Sequence, residues 1–243
     1  MGGPLDGQVA LVTGGGTGIG RGIGIELGRS GAAVTLIGRR RRPLEESCRA
    51  VGAEGGRATA AVGDVSVAQD VERIVDETLE REGRIDILVN NAGVGSGAAI
   101  DRHDIEVWDR VMATNLRGPF LTARYVLPGM RQRGSGHIIN ISSESGLMHY
   151  EGDGAYGISK HALNALSEYI QVENQAYGIR VDTICPGMVV TPMTEHSPGL
   201  DHSKCLYPED IADLVLWLVT RRRNIKIGTP ILIQTMANPW ESD

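Results

Sequence analysis

The stretch Thr13-Gly14-Gly15-Gly16-Thr17-Gly18-Ile19-Gly20 decides the fold of this chain. It follows the short apolar run Val9–Thr13 and opens a stretch with helical periodicity, Ile19–Ser30. A strand that turns on glycines into a helix suits a phosphate group. The glycines allow a tight turn, let a pyrophosphate approach the backbone and bring helix against strand. The helix N-terminus adds free N–H groups and a positive dipole end. Gly20, Gly24 and Gly28 recur every four residues beside Ile19, Ile23 and Leu27. A glycine inside a helix costs about 1 kcal/mol relative to alanine, so three along one face predict close packing there. The spacing is not G-x-G-x-x-G, and that fingerprint is not claimed. A purely structural turn is the rival reading.

Working outward, short β-branched runs alternate with longer helical patterns, which predicts βαβ units and a parallel sheet. The runs are Val9–Thr13, Ala33–Ile37, Thr59–Val62, Ile85–Val89, His137–Ile141, Arg180–Ile184 and Ile231–Ile233. Most show little alternation, as strands covered on both faces should. Helices are predicted around Ile19–Ser30, Val67–Glu82, Asp104–Arg133, Ala155–Tyr177 and Pro208–Val219. The expected architecture is α/β: a single-domain Rossmann fold over 1–243, with a core from about 5 to 234. Its doubly wound, parallel seven-stranded sheet carries helices on both faces.

The chain of 243 residues has 41% hydrophobic and 22% charged residues, an ordinary globular balance. A net charge of -6 and only 4% aromatic residues argue against nucleic acid, which needs clustered cations and stacking surfaces. Cys48, Cys185 and Cys205 offer neither metal-ligand spacing nor a paired disulfide set. The six histidines form no spaced ligand set, so no metal is expected and none is assigned to catalysis. The start Met1-Gly2-Gly3-Pro4-Leu5-Asp6 lacks a signal-peptide pattern and a myristoylation pattern, and no apolar run is long enough to span a bilayer. A cytoplasmic protein without membrane partners is expected.

A dinucleotide-binding domain usually places an acid at the end of the second strand, about 20 residues on, to hold the ribose 2′-OH. Here that place reads Leu36-Ile37-Gly38-Arg39-Arg40. An arginine pairs with the 2′-phosphate of NADP, where an acid would repel it. Arg39, with Arg40 as reserve, therefore predicts NADP(H) over NAD(H). The competing reading is a solvated flank, which is accepted for Arg221–Arg223 at a helix end.

These features resemble the short-chain dehydrogenase/reductase family in its compact form. The first turn matches T-G-x-x-x-G-x-G at Thr13, Gly14, Gly18 and Gly20, with Gly16, Thr17 and Ile19 inside it. Asp64-Val65 resembles the adenine-contacting pair after the third strand, and Asn90-Asn91-Ala92-Gly93 the N-N-A-G after the fourth. Asn115 begins a matching N-L-x-G-x-F stretch. Ser143 precedes Tyr156-Gly157-Ile158-Ser159-Lys160, which fits Y-x-x-x-K. Pro186-Gly187-Met188-Val189-Val190-Thr191 resembles the segment that cradles the nicotinamide amide. The resemblance runs in order from about Leu5 to Ile233.

The resemblance implies a hydride exchange between nicotinamide and a carbonyl or secondary alcohol of a small molecule, of the carbonyl or 3-oxoacyl reductase type. Reduction leaves negative charge on oxygen, so an acid must deliver a proton. Tyr156 would be that acid, although a free tyrosine titrates near 10. Lys160, four residues on and on the same helix face, would lower that value and hold the nicotinamide ribose. Ser143 would donate to the substrate oxygen, with Ser142 and Ser145 as rivals, and Asn115 would hold a water in the proton relay. Asn115 also shares a face with Trp108 and Met112, so a buried structural amide is the alternative.

The resemblance further implies a homo-oligomer, a tetramer, paired through the helices of Asn115 and Tyr156. Leu163, Leu166 and Ile170 are expected to supply apolar surface for that pairing. The fit loosens after the last strand, where Ile233-Gln234-Thr235 replaces the Asp-Gly-Gly of many relatives. The loop at 192–207, expected to fold over the substrate, carries no diagnostic charge cluster. Two other functions fit less well: a catalytically silent, cofactor-sensing scaffold, which should lack Tyr156 or Lys160, and a sugar-nucleotide epimerase, whose relatives have longer chains.

Overall fold

The computed structural model describes residues 2–241. Met1, Ser242 and Asp243, the ends of the domain expected over 1–243, lie outside the described residues. Seven strands form one parallel sheet: β1 (Val9–Thr13), β2 (Ala33–Gly38), β3 (Arg57–Val62), β4 (Ile87–Asn90), β5 (Gly136–Ile141), β6 (Ile179–Pro186) and β7 (Ile231–Ile233). Their order is β3-β2-β1-β4-β5-β6-β7, so the winding reverses between β1 and β4. In such sheets that reversal opens a crevice at the carboxyl ends of the strands, where ligands bind.

Helices α1 (Gly18–Arg29), α2 (Arg41–Ala53), α3 (Ala68–Glu82), α4 (Ile105–Met112), α5 (Gly118–Arg133), α6 (Gly154–Asn174) and α7 (Pro208–Val219) complete the fold. Ile23 and Leu27 of α1, Leu44 of α2 and Val215 of α7 pack on one face of the sheet. Val71 and Ile74 of α3, Val126 of α5 and Ile170 of α6 pack on the other. Covered from both sides, β1 is buried at every residue, which explains its unbroken apolar run. The edge strands differ: Arg57 begins β3 exposed, and β7 is short with Leu232 41% exposed.

Helix α2 is absent from the sequence reading. Its buried stripe, Leu44, Ser47 and Val51, has helical spacing, but the preceding arginines and Pro43 resemble a loop. Proline is tolerated there because first-turn N–H groups have no intrahelical acceptor. The single helix expected over 104–133 is α4 and α5 joined by a π-turn, Ala113–Arg117. Pro119 has no N–H to give to the Asn115 carbonyl, the acceptor an α-helix would assign it.

The glycine face of α1 does pack closely. A Cβ at Gly24 would lie 2.7 Å from Leu36 Cδ2, one at Gly28 would meet Val51, and one at Gly20 would strike the Gly14 carbonyl. The apolar surface expected of α6 is elsewhere: Leu163 and Ile170 are buried and Leu166 packs on the core. The exposed large apolar residues of α6 are Ile158, Tyr169 and Val172, away from the core stripe.

Candidate active site

The cleft at the sheet's switch point has a volume of about 270 Å³ and runs from Arg39 and Arg40 at one end to Tyr156 and Lys160 at the other. Its glycine turn needs left-handed backbone at Gly14 (φ 68°) and Gly18 (φ 52°), which only glycine adopts freely. Thr17 precedes α1 without a side-chain cap, so its hydroxyl takes none of the helix's first N–H groups. Those groups remain available to an anion.

Thr13 fastens this turn to the end of β4. Its Oγ1 accepts from the backbone N–H groups of Asn91 (2.9 Å) and Ala92 (3.0 Å), and Asn91 Nδ2 donates to the Thr13 carbonyl at 2.9 Å. Asn91 thus fastens the turn and also lines the cleft, whereas Gly20 packs against Asn91 and the Gly14 carbonyl and is not a lining residue. Ala92 and Gly93 line the cleft. A Cβ at Gly93 would stand 3.5 Å from Asn115 Oδ1 and 3.7 Å from Lys160 Nζ.

At the far end, Arg39 and Arg40 are exposed on the cleft rim after β2. The arginine run divides there. Arg41 pairs with Glu45 and Arg42 with Glu46 along α2, whereas Arg39 and Arg40 have no ion pair among the described residues. Asp64 and Val65 also line the cleft. Asp64 Oδ1 already accepts from the Ser66 backbone (2.9 Å) and hydroxyl (2.7 Å), leaving its second oxygen for a ligand.

Tyr156 and Lys160 stand one turn apart on α6, with the ammonium 5.4 Å from the ring centroid. Lys160 is 3% exposed, and its Nζ donates to the Ile141 carbonyl at 2.9 Å. Burial pulls the ammonium down to about 8. Burial also pushes the Tyr156 phenol up to about 12. The Ser143 hydroxyl, within reach of the phenol, opposes that rise; Asp153, Glu144 and Cys185 add to it. Desolvation thus raises the phenol above its ordinary value, with the Ser143 hydroxyl as the opposing group.

Of the three candidate serines, Ser143 faces Tyr156. Ser142 Oγ instead donates to the Lys160 carbonyl at 3.2 Å. The backbone of Ser145 donates to Ser143 Oγ at 3.1 Å, which fixes the turn. Asn115 is fully buried and its amide is committed: Oδ1 accepts from Val94 N (2.9 Å), and Nδ2 donates to Val94 O and Ser159 Oγ (both 3.0 Å). Thr191 lines the cleft with Pro192 and Met193, while Pro186, Gly187 and Val189, also expected at the cofactor, are not among the residues that line it.

A buried polar chain under the site escapes sequence reasoning. Thr122 Oγ1 donates to Asn90 Oδ1 (2.6 Å), Asn90 Nδ2 to Asn140 Oδ1 (2.8 Å) and Asn140 Nδ2 to Ser167 Oγ (2.7 Å). It ties α5, β4, β5 and α6 together. The only signal was asparagine inside two apolar strand runs. Among the described residues, no group of histidine, cysteine and acidic side chains could hold a metal, and no helix is long and apolar enough to cross a membrane.

Residues 8–199 match a family described as short chain dehydrogenase. The chain is 40% identical over 196 residues to a protein of Thermotoga maritima described as an uncharacterized oxidoreductase, covering 81% of this chain and 75% of that one. It superposes on a metagenomic short-chain oxidoreductase in complex with NADP with a TM-score of 0.85, at 35% identity, covering 96% of this chain and 100% of the other. It also superposes on levodione reductase with a TM-score of 0.84, at 33% identity, covering 88% and 91%.

Proposed function

We propose that this chain, which belongs to the short-chain dehydrogenase/reductase family, transfers hydride between NADP(H) and the carbonyl or secondary alcohol of a small molecule. It is an oxidoreductase of that family's type. The observation that carries the finer reading is the meeting of Tyr156, Lys160 and Ser143 at one end of a glycine-walled cleft, with unpaired arginines at the other.

The fit to a dinucleotide rests on the uncapped N-terminus of α1, the left-handed glycines and the cations on the rim. Gly14, Gly16, Gly18 and Ile19 would take the pyrophosphate, Arg39 and Arg40 a 2′-phosphate, Asp64 and Val65 the adenine, and Lys160 and Thr191 the nicotinamide half. Bound there, the nicotinamide supplies or accepts the hydride. Ser143 donates a hydrogen bond to the substrate oxygen, and Tyr156 gives that oxygen its proton. Held neutral up to about 12 by its surroundings, Tyr156 carries the proton to be delivered at neutral pH. Lys160, near 8, is still largely cationic there and favours the phenolate left behind. The Asn115 carbonyl, deprived of an α-helical donor by Pro119, can hold the water that returns the proton.

The test is a panel of ketones, aldehydes and 3-oxoacyl thioesters, followed by loss of NADPH absorbance. Turnover of one of them is expected. Tyr156→Phe should lower kcat by roughly 10²–10⁴-fold while leaving NADPH affinity nearly unchanged, because only the hydroxyl is removed. Near-wild-type kcat in that variant would withdraw the assignment.

A further inference from the structure

Between β6 and α7 the chain forms a loop closed at its neck. Leu206 N donates to the Met188 carbonyl and Val190 N to the Leu206 carbonyl, both at 2.9 Å. Beyond the neck the two limbs differ. In the first, none of residues 192–200 is buried, and the backbone N–H groups of Thr194, Glu195, Ser197 and Leu200 donate to carbonyls within residues 191–200. This limb brings Pro192 and Met193 onto the cleft. Met193 Sδ lies 3.9 Å from where a Cβ on Gly95 would stand. Two residues before Gly95, the Cβ position of Gly93 is 3.7 Å from Lys160 Nζ, so Met193 covers the Tyr156–Lys160 end.

The second limb, 201–205, is held by the C-terminal segment. Thr235 Oγ1 donates to the Lys204 carbonyl at 2.7 Å, and Lys204 Nζ donates to the Glu241 carbonyl at 2.9 Å. Asp201 N donates to the Pro239 carbonyl at 2.9 Å. An exposed limb without buried side chains belongs to the least stable parts of a protein, so its ends set where it rests. The neck fixes one end of 192–200, and the C-terminal segment fixes the other. Resting on the reading of the cleft as a hydride-transfer site, we propose that Thr235 and Lys204 are positioning residues for the carbonyl substrate. They anchor the 192–200 flap through its second limb and so keep Met193 over the reacting end. A flap held there excludes water and contacts substrate before and during the reaction alike. Such uniform binding is read in KM rather than in kcat. The glycine turn, Arg39 and Asp64 stand on other elements, and Thr191 is held beside the neck, so the cofactor does not depend on the anchor.

The test combines Thr235→Val with Lys204→Met in the full-length chain, with Thr235→Val alone as the milder variant and Thr235→Ser as the conservative one. Hydrogen exchange followed by mass spectrometry, without substrate or cofactor, should speed up over residues 192–206 by roughly tenfold or more in the double variant. KM for a ketone, aldehyde or thioester that the wild type reduces should rise by roughly three- to tenfold, with kcat and NADPH affinity within about twofold. Thr235→Val alone should move exchange and KM in the same direction by less. Thr235→Ser, which keeps the hydroxyl, should restore both. Met193→Ala should raise KM while exchange over 201–206 stays in place, since the anchor is intact. Unchanged exchange in the double variant, an unchanged KM in it or in Met193→Ala, or an equal loss of NADPH affinity overturns the proposal. The exchange needs no turnover, so its failure leaves the redox reading standing. Turnover surviving in Tyr156→Phe would remove that reading whatever the exchange shows.

Discussion

Arg39 and Lys160 show how one side chain's surroundings set its role. Arg39 is exposed at the cleft rim and has no ion pair among the described residues, while its neighbours Arg41 and Arg42 are taken by glutamates one helical turn away. Charge-assisted hydrogen bonds contribute about 1.5–3 kcal/mol each, and solvent screening at an open rim reduces that. A preference for NADPH over NADH of roughly 10–100-fold in kcat/KM is therefore expected, at 1.4 kcal/mol per tenfold. Arg39→Ala should erase most of it while NADH use persists; equal weakening with both cofactors would place Arg39 outside phosphate binding. Lys160 is drawn from 10.5 to about 8 by burial. Between those values the unfolded chain holds a proton that the folded chain has released, so this group's contribution to stability rises with pH across that window. Urea unfolding of wild type and Lys160→Met over the same range should show the rise in the wild type only.

At the scale of elements, the contacts of α1 and the polar chain beneath α6 decide what the helices tolerate. Gly20→Ala would drive a methyl into the Gly14 carbonyl, so a loss of about 1–3 kcal/mol and weaker NADPH binding are expected. In α2, by contrast, a Cβ at Gly52 meets nothing within 4 Å. Gly52→Ala should stabilise by about 0.5–1 kcal/mol through reduced freedom of the unfolded chain. Thermal unfolding of the two variants should move in opposite directions. Asn140→Leu would leave the buried Asn90 amide without an acceptor, at a cost of roughly 1–3 kcal/mol. Calorimetry showing no loss would assign the chain Thr122–Asn90–Asn140–Ser167 no structural weight.

For the whole molecule, the faces left uncovered point to assembly. Tyr169 and Val172 on α6 are 70% and 64% exposed, and Phe120 on α5 is 47% exposed. Exposed apolar residues grouped on the packed helices α5 and α6 suit burial against a second copy. Light scattering at micromolar concentration should give a mass above the 26.0 kDa of one chain, a tetramer being the expected state. Tyr169→Glu with Val172→Glu should reduce that mass without unfolding the chain. A monomer in the wild type would end the proposal. The C-terminal segment is committed within its own chain: Asp201 N donates to the Pro239 carbonyl at 2.9 Å and Thr235 Oγ1 to the Lys204 carbonyl at 2.7 Å. It therefore straps the loop at 192–207 that the cleft opens beneath.

What the sequence determined by itself is local in the chain or periodic along it. The glycine turn of residues 13–20 is specified by backbone freedom, and the buried strands by unbroken apolar runs. Tyr156 and Lys160 are specified by a helical spacing of four, which puts both on one face before any tertiary contact exists. Helix α2 was hidden only because arginines and a proline stand before its narrow apolar stripe. The tertiary structure decided which serine meets Tyr156, which arginines stay unpaired, and that the Asn115 amide is consumed by Val94 and Ser159. It also decided the bonds between Asn90 and Asn140, 50 residues apart, and between Glu144 and Gln234, 90 apart. Such pairs leave no periodic trace, because strand order and register bring them together. The electrostatics of Tyr156 follow the same rule: helical spacing supplies the neighbouring lysine, but only packing fixes how far water is excluded from the phenol.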